Sequence, residues 1–327
     1  MEKINKLKKI LKIEKIDGYI IPKNDEFFGE YIPNQKDRLK HISEFTGSYG
    51  FALILDNSNH LFVDGRYTLQ AYKQSGKFFN IELMPNKLPG AVLKGKKLKI
   101  GYDSKLFTKK TLNTFFGKNN CKYLPLEKNL VDKIWIRKKT NIKHKFYTLP
   151  QISVGEKYKS KVNKIVSILK KNKCDFQFIT ASENNAWLLN IRGNDSKYTP
   201  IPNAYILIDI KKNIFFFCDL KKISNSFKKK FNKIKFIDIN NTNLILSKIW
   251  RKKFMIDQNT CSIFYEKIIL KNNKILNRQD PIYTLKAIKT KKEIKNIKKA
   301  HIYDGAALTK YLFWLKKNYL KKKVTEI

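Results

Sequence analysis

The sequence predicts an α/β protein built of two similar units, each with a mixed sheet flanked by helices, followed by a separate long helix. Three observations carry that prediction. Short apolar runs alternate with stretches of helical periodicity along most of the chain. The alternation restarts after a basic stretch, Arg137 to Lys145. The final segment then abandons it for one long amphipathic pattern. A length of 327 residues, at roughly 150 per domain, suits two such units.

In chain order, Ile4, Leu7, Leu11 and Ile16 recur at near-helical spacing with lysines between them, and Asp17-Gly18 stops that helix. Tyr19-Ile20-Ile21 before Pro22 reads as a short buried strand. Phe51 to Leu55 and His60 to Val63 flank Asp56-Asn57-Ser58-Asn59 as a hairpin. Asp64 then stands where a helix through Gly65 to Tyr72 needs a cap. Strands at Asn80 to Met84 and Leu98 to Tyr102, a helix near Thr108 to Phe116, and Tyr123-Leu124 complete the unit.

The second unit places Val162, Ile165, Val166 and Leu169 on one helix face, followed by a strand at Phe176 to Ile179. A helix over Ala186 to Ile191 is expected to end at Gly193 in the left-handed conformation. A second hairpin joins Ala204–Ile210 to Ile214–Leu220. The boundaries read as 1–136, a linker at 137–152, 153–280, and 281–327. In the last segment, Thr290 and Glu293 form a capping box for a helix running through Leu315. Its apolar face needs a partner. Trp187 and Trp314, on apolar helical faces, are expected in the core.

Sixty-nine basic residues against 27 acidic ones give +42, which raises the question of a polyanionic partner. Only six of the basic residues are Arg (38, 66, 137, 192, 251 and 278), and the lysines are spread over the whole chain. Lysine makes point-charge contacts, whereas reading bases or phosphates by planar forks favours Arg. The pattern suits a compositional bias toward Lys, Asn and Ile, with nonspecific attraction to polyanions left open. The four Cys (121, 174, 218 and 261) form no C-x-x-C pair, and the four His (41, 60, 144 and 301) stand apart. No H-E-x-x-H, phosphate loop or nucleophile elbow is present. No apolar run approaches the roughly 18 residues that suggest a membrane span, and the N-terminus lacks a secretory pattern, so a cytoplasmic location without membrane contact is expected.

Several motifs carry a resemblance. Glu30-Tyr31-Ile32, Asp37-Arg38, Phe45-Thr46-Gly47-Ser48 and above all Asp64-Gly65-Arg66-Tyr67-x-Leu69-Gln70-Ala71 are similar to the first domain of Xaa-Pro aminopeptidases, of the creatinase and prolidase group. Ala186 to Asp195 resembles their second domain, and Lys286 to Glu293 with Ala300 to Leu308 resembles the first helix of their catalytic domain. The resemblance implies two creatinase N-terminal-like domains followed by the start of a "pita-bread" metallopeptidase domain. In the complete enzyme it implies two divalent ions, usually Mn, hydrolysis of the bond before a penultimate proline, X-Pro peptides as substrates and a homodimer. The metal ligands of that family lie downstream of its first helix, so this chain is expected to be the N-terminal part of such an enzyme. It is expected to bind no metal, to hold no catalytic residue and to be inactive alone.

The resemblance points to Arg66 as a peptide-binding residue, since a guanidinium offers several fixed donors to carbonyls or a carboxylate. The alternative is that Arg66 pairs with a nearby Asp to hold the strand-to-helix turn. Arg192 and Asp195 read first as a loop ion pair, with substrate binding as the alternative. Asp64 reads as a cap rather than a ligand. Phe45 to Gly50 reads as a glycine turn, with a small anion nest as the alternative. A second functional class stays in view: a noncatalytic interaction module on the same scaffold, binding an acidic protein or nucleic acid.

Overall fold

The computed structural model describes residues 1–117, 119–137 and 144–325. Most of the basic stretch expected to link the units, 138–143, lies outside the described residues.

The first domain runs α1 (Glu2–Ile13), β1 (Gly18–Pro22), α2 (Arg38–Ser43), β2 (Phe51–Leu55), β3 (Asn59–Asp64), α3 (Thr68–Ser75) and β4 (Asn80–Met84). It continues with α4 (Pro89–Val92), β5 (Lys99–Asp103), α5 (Lys109–Phe116), β6 (Lys122–Leu126) and α6 (Leu130–Ile134). Its sheet has the order β4-β3-β2-β1-β5-β6. β1 is apolar throughout because helices cover both faces. Tyr19 and Ile21 point into a core with Leu7 and Leu11 of α1, whereas Ile20 points into the opposite core with Phe107 and Phe116.

The second domain runs β7 (Tyr147–Thr148), α7 (Gln151–Val154), α8 (Tyr158–Lys171), β8 (Phe176–Ile179), α9 (Ser182–Leu189), β9 (Ile191–Arg192) and β10 (Tyr205–Asp209). It continues with β11 (Ile214–Cys218), α10 (Asn225–Lys230), β12 (Ile234–Asp238), α11 (Thr242–Ser247), β13 (Lys253–Ile256), α12 (Ile263–Leu270), β14 (Lys274–Asn277) and α13 (Ile282–Ala287). Its large sheet has the order β12-β11-β10-β8-β13-β14. Pair by pair, the parallel and antiparallel senses match those of the first sheet. The two units are thus topological repeats.

The domains are joined by more than the chain. Ile263 N–H donates to Phe107 O at 2.8 Å and Phe264 N–H to Ser104 O at 3.1 Å, while the Tyr205 hydroxyl donates to Glu26 O at 2.7 Å. α14 (Lys291–Asn318) follows α13. It opens on the expected capping box, Thr290 Oγ1 taking the Glu293 N–H and Glu293 taking the Thr290 N–H.

The structure differs from the sequence reading in four places. α9 ends at Asn190, not Gly193; Asn190 takes the left-handed conformation (φ 55°), and its side-chain amide donates to Glu156 O at 2.8 Å. Asn reaches that conformation because its short polar side chain can bond locally. Gly193 answers to crowding instead, since a Cβ there would come within 2.9 Å of the Phe146 ring. The segment after Asp64 begins as a 3-10 turn (Gly65–Tyr67) before α3. Within the span read as linker, Phe146 is buried in the second core and β7 pairs with β9. Trp187 packs partly buried against the second core. Trp314 is exposed, as are Ile302, Leu308 and Leu312 along α14, because the helix meets α7 only near its start, where Asn296 donates to Ser153 O, and among the described residues little covers the rest.

Candidate functional site

The Asp64-Gly65-Arg66-Tyr67 motif sits where β3 ends and the chain turns into α3. Asp64 Oδ1 accepts the Arg66 N–H at 3.0 Å, which closes the turn. The same carboxylate accepts Arg66 Nε at 3.0 Å and Nη2 at 2.7 Å. These bonds hold the Asp64 carboxyl below its ordinary range and raise the guanidinium above its own. The Arg66 side chain is 66% exposed and lies 4.9 Å from the centre of the Tyr67 ring. Tyr67 in turn shares a 2.6 Å hydrogen bond with Ser48.

Ser48 belongs to the wall of a cleft of about 560 Å³ between the domains, with Glu30, Tyr31, Asp37, Thr46 and Asp195. Four stretches singled out in the sequence therefore converge here: Glu30 to Ile32, Asp37, Thr46 to Ser48, and Asp195. Each is held by scaffold contacts. Asp37 caps α2 through the Lys40 N–H at 3.0 Å and pairs at 2.5 Å with Lys23, both side chains nearly dry. Arg38 is buried and donates to Asp132 at 2.8 and 2.9 Å and to Glu26 at 2.8 Å. Burial pushes the Glu26 carboxyl up, but Lys36 and Arg38 overcome it and hold it at about 2. That network fixes the loop from Glu26 to Arg38. The Phe45 to Gly50 turn forms no open anion nest: the Thr46 N–H already donates to Gln74, and a Cβ on Gly47 would run into the Phe45 ring.

Arg192 and Asp195 do not pair with each other. Arg192 Nη1 donates to Ala186 O at 3.1 Å and Ile191 O at 2.8 Å, serving the carbonyl end of α9, and burial lowers its pKa. Asp195 pairs with Lys222 and accepts the Asn203 N–H at 2.7 Å. The loop ion pair does not form because the Arg192 guanidinium is taken by the Ala186 and Ile191 carbonyls, while Lys222, in the turn after β11, takes Asp195. Lys23 and Lys222 carry no signal in the sequence, since they meet the cleft or its wall only through tertiary packing; Tyr67 lies in the motif, but its bond to Ser48 is not legible there.

Among the described residues, no three of His, Cys, Asp and Glu come together as a metal site. The thiols of Cys174, Cys218 and Cys261 are buried and free. Burial also raises the thiol pKa of each.

Residues 3–133 and 137–293 each match a Creatinase/Prolidase N-terminal domain family. The chain belongs to that family. It is also 29% identical to a probable Xaa-Pro aminopeptidase P of Laccaria bicolor over 96% of this chain and 51% of that protein. It is 30% identical to that of Paracoccidioides lutzii over 97% and 55%, and 28% identical to Xaa-Pro aminopeptidase 1 of Dictyostelium discoideum over 98% and 54%. The chain thus spans about half the length of the curated relatives it matches. Its fold matches X-prolyl aminopeptidase of Caenorhabditis elegans with a TM-score of 0.86 at 24% identity, covering 98% of this chain and 57% of that one. That protein is described as a cytosolic enzyme with a di-nuclear active site. Among the described residues, no helix is long and apolar enough to cross a membrane.

Proposed function

We propose that these residues supply the two N-terminal domains of an Xaa-Pro aminopeptidase, the scaffold that orients a peptide with proline in second position. One observation carries the reading: the relatives match in order over nearly the whole chain and leave about half of their own length for the chemistry. In this reading Arg66 is the peptide-contacting residue, next in sequence to Tyr67, whose hydroxyl bonds Ser48 of the cleft wall. The second domain supports the assignment. At the equivalent turn, Asp219 accepts the Lys221 N–H and the turn closes with no guanidinium. Arg66 is thus not required to build its own turn, and its exposed fork is free to exchange Asp64 for a peptide carboxylate or carbonyl.

Residues 1–327 alone, with no fitting donor set among those described, would not cleave the X-Pro bond, and the ions, Mn in the expectation above, belong to the remainder of the enzyme. The homodimer is part of the same proposal, and sedimentation of the complete assembly tests it. The direct experiment joins these domains to the catalytic remainder of the Dictyostelium relative and measures hydrolysis of an X-Pro peptide. Arg66→Ala should lower kcat/KM about tenfold or more, with Arg66→Lys intermediate. An unchanged kcat/KM in Arg66→Ala would remove Arg66 from the site.

A further inference from the structure

A second pocket, of about 250 Å³, lies between the domains and involves neither Arg66 nor Asp195. Phe27 and Lys105 of the first domain and Tyr205, Asn243, Phe264 and Tyr265 of the second help to line it. Its aromatic residues are fixed against one another. Phe27 stacks on Tyr205 at 5.2 Å, and Tyr265 meets both Tyr205 and Phe264 edge-on at 5.1 Å. The Tyr205 hydroxyl, bonded to Glu26 O, locks that ring across the domain boundary.

Charge at this pocket is unbalanced in one direction. Glu26 is already engaged by Lys36 at 2.6 Å and by Arg38 at 2.8 Å. Asp103 accepts the backbone N–H of Lys105 and the amide of Asn129. The Lys105 ammonium is left without a hydrogen bond or ion pair among the described residues; its near neighbour is the Phe264 ring, 4.8 Å away. The Asn243 side-chain amide likewise has no acceptor among the described residues, its oxygen being taken by the Leu244 N–H. Of the ions lining the pocket, Glu26 and Lys36 cancel, and one positive charge remains.

We propose that this pocket binds a small carboxylate carrying one planar ring. The ring would lie against the aromatic walls, and the carboxylate would take the Lys105 ammonium and the Asn243 amide. A single free cation matches a monoanion better than a phosphate dianion, and the volume suits one ring with a short acidic arm. Because both domains supply contacts, an occupant would tie them together.

The test is an NMR titration of the purified chain with phenylacetate, with acetate and benzyl alcohol as probes lacking the ring or the charge. Saturable shifts at Lys105, Asn243, Phe264 and Tyr265 are expected, with a dissociation constant of about 1 mM or tighter. The same affinity should fall about tenfold or more in Lys105→Met and in Asn243→Asp, whose added carboxylate repels the anion. Acetate and benzyl alcohol should each bind at least about tenfold more weakly. The two variants lie on the pocket rim, and circular dichroism checks that each is folded. The proposal is overturned by an absence of saturation, by acetate or benzyl alcohol equalling phenylacetate, or by folded variants that bind as the wild type does.

Discussion

Asp64 and Asp219 close the same turn in two sheets of the same topology. Asp64 ends β3 and Asp219 directly follows the equivalent β11, and each carboxylate accepts the N–H two residues on, Arg66 at 3.0 Å and Lys221 at 2.9 Å. The turn is therefore a property of the fold. What the first domain adds is a guanidinium on the outer side of it.

Removing either cap should cost stability while removing the guanidinium should not. Asp64→Ala and Asp219→Ala are each expected to destabilise by about 1 kcal/mol, since each leaves a turn N–H without its acceptor. Arg66→Ala, an exposed pair, should leave the urea midpoint unchanged. Urea unfolding of the three variants checks this, and an Arg66→Ala loss equal to that of Asp64→Ala would make the arginine structural.

Asp280 should titrate far from an ordinary carboxylate. It accepts Ile282 N–H at 3.0 Å and the amides of Gln177 at 2.9 Å and Asn184 at 2.7 Å. Burial outweighs these donors and lifts its pKa from 3.8 to about 6. Between those values the folded state keeps a proton that the unfolded chain releases, so stability from this group falls as pH rises through the interval. Carboxyl carbon shifts should give a midpoint near 6. Wild type should also lose ground to Asp280→Asn over the same range.

Lys161 is a buried amine with a defined task. Its Nζ donates to Trp187 O at 2.8 Å and Asn190 Oδ1 at 2.6 Å, at the end of α9, and lies 4.0 Å from the Trp187 ring. Lys161→Met would leave both acceptors unpaired, a cost of about 1–3 kcal/mol. Burial lowers the amine pKa from 10.5 to about 8, so between those values the unfolded chain holds the extra proton. Wild type should therefore gain stability relative to Lys161→Met as pH rises through that range.

The exposed face of α14 has a dynamic consequence. In the 327-residue chain its amides from Ile302 to Trp314 should exchange much faster than those of Ile165 to Leu169 in α8, because little tertiary packing supports a long helix there. Hydrogen exchange measured by mass spectrometry decides it; equal protection would mean that the helix is covered in solution.

The sheets and their order of elements were legible because strands buried on both faces, such as β1, are unbroken apolar runs, and because Asp-Gly and the Thr290–Glu293 box punctuate the chain. The end of α9 was not, since Asn190 does the work that glycine usually signals. Trp314 misled for the opposite reason: apolar spacing reports what a helix can bury, not what is present to bury it. Arg66 is singled out by its motif, but its surroundings depend on residues distant in sequence. Nothing in the spacing of Ser48, Tyr67 and Asp195 says that they meet near one cleft.

The central claim is that these residues orient a substrate and do not perform the hydrolysis. Elemental analysis of the purified 327-residue chain after dialysis against manganese, paired with an X-Pro peptide assay on the same sample, tests it most directly. No stoichiometric manganese and no release of the N-terminal residue are expected. Two tightly held ions per chain together with release of that residue would contradict it.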